Sequence, residues 1–333
     1  MIDALVALAW AVSAQEIPRA PMRLSAWIVP WDRADASGAD FSCFSEINPF
    51  AFILDEAGAP KLAHPELMLA RAADRLVIPV VVNDVVDRRG RVEEKSPAAL
   101  DALLERGIEG IVAALPLDAV DGVELDFERV PIGAWPRYAD FLDRLAAALH
   151  AKGKRLSIDV EAAPLFKRDG GRGTIGEAAR AVDAVKVMAY YQRGSWTGED
   201  GPGSSISWIE DVARRARAVV PREKLWVALS LAGSDWLLPE PRVASVRRVT
   251  RLHYGKVQAL LAARAGKPGW SEREQAPFLD YEEDGRRHRL WYEDERSLAA
   301  KLDALRGAGI ARAAIWYVGK KHPGFSTSAP CRR

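Results

Sequence analysis

The sequence predicts an α/β fold, a (β/α)8 TIM barrel with a small α+β insertion between its seventh and eighth strands. Three observations carry this expectation. Eight short apolar or alternating runs recur along a chain of 333 residues. Segments of helical period separate most of them, the rhythm of βα units and a parallel sheet. Eight such units over about 300 residues match the size of a closed barrel.

The strand candidates are Leu24 to Trp31, Ala51 to Leu54, Leu76 to Val82, Gly122 to Glu128, Arg155 to Ala162, Val185 to Tyr191, Lys224 to Gly233 and Ala313 to Gly319. Among the helices, Ser96-Pro97 offers an N-cap followed by Pro at the first helical position, opening a helix from Ala98 to roughly Leu115. Ala134 to Ala151 carries Tyr138, Phe141, Leu142, Leu145 and Leu149 as an apolar stripe, with Gly153 as its stop. Ser207-Trp208-Ile209-Glu210 reads as a capping box for a helix ending before Pro221, and Ser297 to Leu305 forms another, ended near Gly307. The stretch between the seventh and eighth strands is too long for one helix. It holds a helical piece, His253 to Arg264, and two β-like runs, Pro277 to Tyr281 and His288 to Tyr292, around Asp284-Gly285, a type I′ turn pair. The expected organisation is a barrel over residues 21–325, with 239–293 as its insertion, preceded by 1–20 and followed by a C-terminal tail, 326–333.

Composition sets bounds. An apolar fraction of 49% suits a globular protein with a sizeable core. A formal net charge of +1 gives no electrostatic case for nucleic acid, and clusters such as Arg247-Arg248 or Arg286-Arg287 read as solvated faces. Beyond the N-terminus no stretch approaches the ~20 apolar residues of a membrane span. The run Ala4 to Val12, followed by Ser13-Ala14, has the length and the small-residue cleavage site of a signal peptide. The basic n-region is missing and Asp3 has the wrong sign, so an ordinary N-terminal helix is the competing reading. The expectation is a secreted or periplasmic protein, acting as a monomer. Of the two cysteines, Cys43 and Cys331, neither has metal-ligand spacing or a neighbouring His. No cofactor or metal is expected. In an exported protein the pair can form a disulfide.

The stretch Asp121-Gly122-Val123-Glu124-Leu125-Asp126-Phe127-Glu128 is where chemistry is expected. With a two-residue period, Val123, Leu125 and Phe127 share one face and Glu124, Asp126 and Glu128 the other, at intervals of roughly 6.5 Å. Like charges in a row destabilise a strand unless something compensates. A solvated edge strand with an acidic face is the plain alternative, and the wholly apolar opposite face speaks against it. In a barrel, catalytic groups sit at the C-terminal ends of strands; Glu128 ends the fourth.

These residues closely resemble the Asp-Gly-x-Asp-x-Asp-x-Glu signature of glycoside hydrolase family 18, the chitinase-like family. Val187-Met188-Ala189-Tyr190 resembles its Met-x-Tyr-Asp motif on the sixth strand, Leu225 to Gly233 its seventh strand, and Ala314-Ile315-Trp316 its eighth, with a sugar-supporting Trp. Pro277 to Leu302 looks like the bacterial branch of spore-germination and cortex-lytic hydrolases, and the likeness covers about residues 23–320. The resemblance implies a glycosidase acting on N-acetylglucosamine-containing polymers or oligosaccharides, peptidoglycan or chitin-like, by a substrate-assisted retaining route. It implies Glu128 as the acid/base, Asp126 as the group that orients the acetamido N–H and stabilises the oxazolinium, and Tyr190 as donor to the acetamido oxygen. Asp126 and Glu128 share a face, so ionising both is disfavoured and one pKa should rise.

Asp121 is out of phase with the other acids; it supports the stack from below or binds backbone near the strand start. Two residues depart from the family pattern. Glu124 replaces an Asp in the middle of the stack, one methylene longer, which brings strain or pushes its carboxyl toward Asp126. Tyr191 replaces the Asp of Met-x-Tyr-Asp and removes an acceptor from the cleft. Trp316, Tyr191, Met188 and Trp27 are the substrate-binding candidates; Trp31, Trp196 and Trp236 also sit near strand ends, with packing the equal alternative. His253, His288 and His322 lack ligand spacing and read as surface residues. Two other classes compete: a weakly active or inactive barrel that only binds amino-sugar glycans, and a barrel in which Glu124, Asp126 and Glu128 hold a hard divalent cation.

Overall fold

The computed structural model describes residues 22–32, 41–68, 75–86, 92–239 and 248–319. The expected leader, the C-terminal tail, His322 and Cys331 lie outside them. Cys43 packs against the main core and is disulfide-bonded.

Seven parallel strands follow in order: β1 (Arg23–Ile28), β2 (Glu46–Leu54), β3 (Val80–Val86), β4 (Gly122–Asp126), β5 (Arg155–Glu161), β6 (Ala184–Met188) and β7 (Leu225–Ser230). Arg312–Trp316 pairs in parallel with both β7 and β1 and closes an eight-stranded barrel. This is the expected (β/α)8 fold, with strands β1 and β2 bounded differently from the sequence reading: β1 ends at Ile28 before a 3-10 turn at Pro30–Asp32, and β2 begins at Glu46.

Between β7 and the closing strand the chain builds a separate antiparallel sheet of β8 (Gly233–Leu237), β9 (Arg248–Leu252), β10 (Lys267–Ser271), β11 (Ala276–Glu283) and β12 (Arg286–Trp291), in the order β9-β8-β12-β11-β10. Asp284 and Gly285 join β11 to β12 with φ of 52° and 71°, the two positive values that a type I′ hairpin requires. The closing barrel strand is therefore β13.

The helices are α1 (Pro97–Arg106), α2 (Glu109–Ala114), α3 (Trp135–His150), α4 (Glu177–Ala181), α5 (Ile206–Ala216), α6 (Tyr254–Ala263) and α7 (Glu295–Gly307). Two expectations are corrected. The helix opened by Ser96 stops at Arg106, because Gly107 turns to φ 88°, ψ −175°, a conformation open to glycine alone. The cap of α5 is Ser205, whose Oγ accepts the Trp208 N–H at 3.1 Å; Ser207 lies inside the first turn.

Strand alternation sorts the side chains into two layers. Val123, Leu125 and Phe127 face outward into the core shared with Tyr138, Phe141, Leu142 and Leu145 of α3. Each such burial contributes roughly 1.5–3 kcal/mol, so this outer shell carries most of the stability. The inner layer is polar instead: Ser25, Glu46, Asn48, Glu124, Ser157, Asp159 and Lys186 are all buried. A barrel interior is usually filled by Val, Ile and Leu. Here groups that must neutralise one another share it with a smaller apolar cluster that includes Trp27, Phe50, Val80 and Ala228.

Candidate active site

Strand β4 sets the site. Gly122 opens it because a Cβ there would lie 2.3 Å from the Arg155 carbonyl oxygen, so only glycine lets β4 and β5 approach. From that start Glu124 and Asp126 point inward, and Glu128 stands just past the strand, at the C-terminal mouth. Its backbone is clamped by Asn83 of β3. The Glu128 N–H donates to Asn83 Oδ1 at 3.1 Å, and Asn83 Nδ2 donates to the Glu128 carbonyl at 3.0 Å.

Lys95 answers Glu128 directly, with Nζ 2.5 Å from Oε2. Lys95 is held in the left-handed region, φ 57°, and its N–H donates to Asp84 Oδ1 at 2.8 Å. Burial raises the Glu128 pKa; the Lys95 charge pulls it down only partly, and it stays above the ordinary glutamate value. For Lys95 burial works the other way, but the charge and hydrogen bond of Glu128, with the Asp126 charge, together outweigh it and the ammonium is raised.

Asp126 is buried and lies well above the ordinary aspartate value, first through burial and then through the Glu128 charge, with Lys95 opposing. Both members of the Asp126–Glu128 pair are thus raised, Asp126 the more strongly. Tyr190 is likewise pushed up by burial, keeping its O–H as a donor. These groups meet in one cavity of about 190 Å³, whose wall also includes Lys95, Tyr191, Trp31 and Trp316. The Trp316 ring contacts Phe50 at 5.0 Å and Trp31 at 6.2 Å, both edge to face. Tyr191 stands at φ 59° with Arg251 of β9 over its ring at 5.1 Å.

Beneath this cavity Glu124 is fully occupied. Oε1 accepts Trp27 Nε1–H at 2.6 Å; Oε2 accepts Asn48 Nδ2 at 3.1 Å and Ser157 Oγ at 2.9 Å, and lies 2.5 Å from Lys186 Nζ. Glu46 Oε1 sits 2.8 Å from the same Lys186. Burial works to lower Lys186, but Glu124 and Glu46 outweigh it and hold the ammonium charged. Burial works to raise Glu46, and Lys186 more than offsets it. The extra methylene of Glu124 therefore reaches a lysine rather than crowding Asp126. A cation shared by Glu124, Asp126 and Glu128 would have to displace that lysine, which disfavours the metal reading.

Asp121 serves the backbone, accepting the Val77 N–H at 2.8 Å. Three expectations are corrected, for Trp27, Met188 and His288, and the open choice for Trp236 falls to packing. Trp27 is 1% exposed and belongs to the floor, as the donor to Glu124, so it offers no stacking face. Met188 is buried and does not line the cavity. Trp236 lies in the core of the second sheet, its indole N–H on the Gly201 carbonyl at 2.8 Å. His288 is half-buried and pairs with Asp235 at 3.1 Å. Trp31, at 56% exposed, keeps a free face at the mouth, beside His253.

Sequence reasoning missed Lys95, Asn83, Lys186 and Asp159. For two of them a signal existed. Lys186 shares the phase of Met188 and Tyr190, and Asp159 that of Ser157, so both had to enter the barrel, where charged residues almost never lie unpaired. Nothing in the sequence ties Asn83 or Lys95 to Glu128.

Comparisons with known proteins agree with this fold. The model of glycosyl hydrolases family 18 matches residues 103–320. A cortical fragment-lytic enzyme of Bacillus subtilis (strain 168) is 28% identical over 212 residues, covering 60% of this chain and 47% of that protein. The chain spans between 33% and 59% of the length of the curated relatives it matches. The solved Bacillus cereus spore cortex-lytic enzyme SleL superposes with TM-score 0.71 at 19% identity, over 91% of this chain and 72% of that one. A class V chitinase structure from Pseudomonas fluorescens Pf-5 gives TM-score 0.72 at 19% identity, over 91% and 97%. At these identities the superpositions speak for the fold, while the family model spans the acidic strand and Trp316. The chain belongs to glycoside hydrolase family 18.

Proposed function

We propose that this protein is a retaining glycosidase acting on β-linked N-acetylglucosamine-containing glycans, peptidoglycan or chitin-like, through participation of the substrate's own acetamido group. The observation that carries this is the meeting of Glu128, Asp126, Tyr190 and Trp316 in one cavity at the C-terminal mouth of the barrel. In the first step the Glu128 carboxyl gives its proton to the glycosidic oxygen, and the C1–O bond breaks toward that oxygen. The acetamido carbonyl oxygen bonds to C1, giving an oxazolinium whose N–H lies against Asp126 and whose oxygen lies against the Tyr190 O–H. In the second step the Glu128 carboxylate takes a proton from water, the water oxygen bonds to C1, and the bond from C1 to the former acetamido oxygen breaks, restoring the acetamide. Two inversions leave the configuration retained.

A raised pKa on Glu128 suits the proton donor that this sequence requires. The relatives named for spore cortex lysis favour peptidoglycan as the polymer. The test is product analysis after incubation with N-acetylglucosamine oligomers and with purified peptidoglycan. Cleavage of either, lost by about 10²-fold or more in Glu128→Gln, is the expected result; cleavage of neither, across pH, defeats the proposal.

One observation favours a second reading, a barrel that binds amino-sugar glycans with little turnover. The Lys95 ammonium sits on the oxygen that would carry the proton. Oligomer affinity without product at any pH supports that alternative.

A further inference from the structure

In a parallel barrel every strand starts at one end, the base, which lies opposite the mouth. Arginines gather there. Arg23 starts β1 and Arg312 starts β13, and the two are direct cross-strand partners, about 4.8 Å apart at the backbone. Arg155 starts β5, four strands from β1 around the ring and so across the barrel from it. Arg222 precedes β7, and its carbonyl accepts the Arg312 Nη1–H at 3.2 Å.

Three of these arginines turn under the floor. Arg23 shares the inward phase of Ser25, and its guanidinium lies 6.0 Å from the ring of Trp226, which also faces Lys186 inside the barrel. Arg155 shares the phase of Ser157, and its charge reaches the buried Glu46 carboxylate. Arg312 shares the phase of Ala314, a member of the inner apolar cluster. Burial lowers the Arg312 guanidinium, the charges of Arg23, Arg155 and Arg222 add to that, and Glu223 opposes them. Like charges set opposite one another destabilise a sheet unless something compensates. The other acids at this end are already engaged: Glu46 is held by Lys186, Asp121 accepts the Val77 N–H, and Asp183 pairs with His150 and accepts the Leu156 N–H. The mouth carries the opposite sign, with Asp84, Glu94, Asp126 and Glu128 in the cavity wall against Lys95. In a chain of formal net charge +1 this separation makes the barrel a dipole along its axis, positive at the base. Such a field orients a protein before contact.

We propose that the base of the barrel docks on an anionic phospholipid bilayer, with Arg23, Arg155, Arg222 and Arg312 against the lipid phosphates and the mouth turned away. Three features choose a bilayer among polyanions. The arginines come from opposite sides of the ring, so they cover a disc and match a plane of phosphates better than a single polymer strand. Guanidinium forks bind phosphate through two parallel N–H groups and are weakly hydrated. The base is also the far end from the cavity, so the body that it holds is not the molecule in the mouth. The docking does not depend on what the mouth cleaves.

The test is cosedimentation of the full chain with vesicles of phosphatidylglycerol mixed with phosphatidylcholine, against phosphatidylcholine alone. Binding should need the anionic lipid and vanish at about 1 M salt, where the screening length falls to ~3 Å. Arg155→Gln and Arg222→Gln should each weaken partition about fivefold, and the double variant about 25-fold. Arg23→Lys keeps the charge and should keep the binding. Arg286→Gln, on the hairpin of the second sheet, removes the same charge elsewhere and should leave binding unchanged. If Arg155→Gln fails to fold, Arg222→Gln, whose side chain is exposed, decides. No binding to either vesicle, equal binding to both, or an equal loss in Arg286→Gln overturns the proposal. So does retention on soluble polyphosphate with none on vesicles, which would assign the arginines to a linear polymer.

Discussion

Lys186 Nζ lies 2.5 Å from Glu124 Oε2 with both side chains wholly out of solvent, and this pair fixes the floor on which the acidic strand stands. A buried pair is weak evidence of stability, but removing one partner leaves an uncompensated charge. Lys186→Met should therefore cost about 3–5 kcal/mol by urea denaturation. The double variant Lys186→Met/Glu124→Leu should recover much of that loss. A single variant as stable as the parent contradicts the assignment.

Trp27 belongs to the same floor. Trp27→Phe removes the 2.6 Å N–H to Glu124 Oε1, a hydrogen bond to a charged group worth about 1.5–3 kcal/mol. The loss should appear in the denaturation midpoint and leave KM for an oligomer unchanged. A rise in KM at full stability would return Trp27 to the substrate.

Lys95 should set the upper pH limit of turnover. Its charge opposes the burial that raises Glu128, so Lys95→Met lets the Glu128 pKa climb further. The carboxyl then keeps its proton to higher pH, and the alkaline limb of kcat should move up by about 1–3 pH units. An unmoved or lowered limb means that Lys95 does not govern the acid.

Stability should carry the sign of the buried aspartates. Asp126 and Asp159 are raised by burial first, so the folded protein binds protons that the unfolded chain has released. Stability from these groups falls as pH rises from the ordinary aspartate value, about 3.9, through the raised folded values. The slope is at most about 1.4 kcal/mol per pH unit for each group. Comparing denaturation from pH 4 upward in the parent and in Asp159→Asn isolates the effect; the variant should show the flatter profile.

Alternation was legible because it is local. A two-residue period alone put Glu124, Asp126 and Glu128 on the inner face, and the barrel did the rest by aiming that face at the mouth. Depth was not legible. Trp27 and Trp31 are both aromatic residues near the end of β1, yet one lies under the floor and the other in the entrance. The difference is set by strand stagger, which no single strand encodes. The Lys95–Glu128 contact spans 33 residues of chain, and only closure of the barrel brings it about. The helix from Ser96 falls short of its expected reach for a simpler reason: Gly107 ends it through its own backbone, at φ 88°.

Arg251 ties the second sheet to the cleft, lying over Tyr191 while donating to the Arg193 carbonyl and Ser234 Oγ. That makes β9 a splint for the loop after β6, and so the decorated barrel is not two interchangeable parts. A chimera that swaps residues 233–291 for a relative's would import a new neighbour for Tyr191 with the cargo. Divergence among such barrels in this region should therefore be read as retuning of the entrance, even where every acid on β4 is kept.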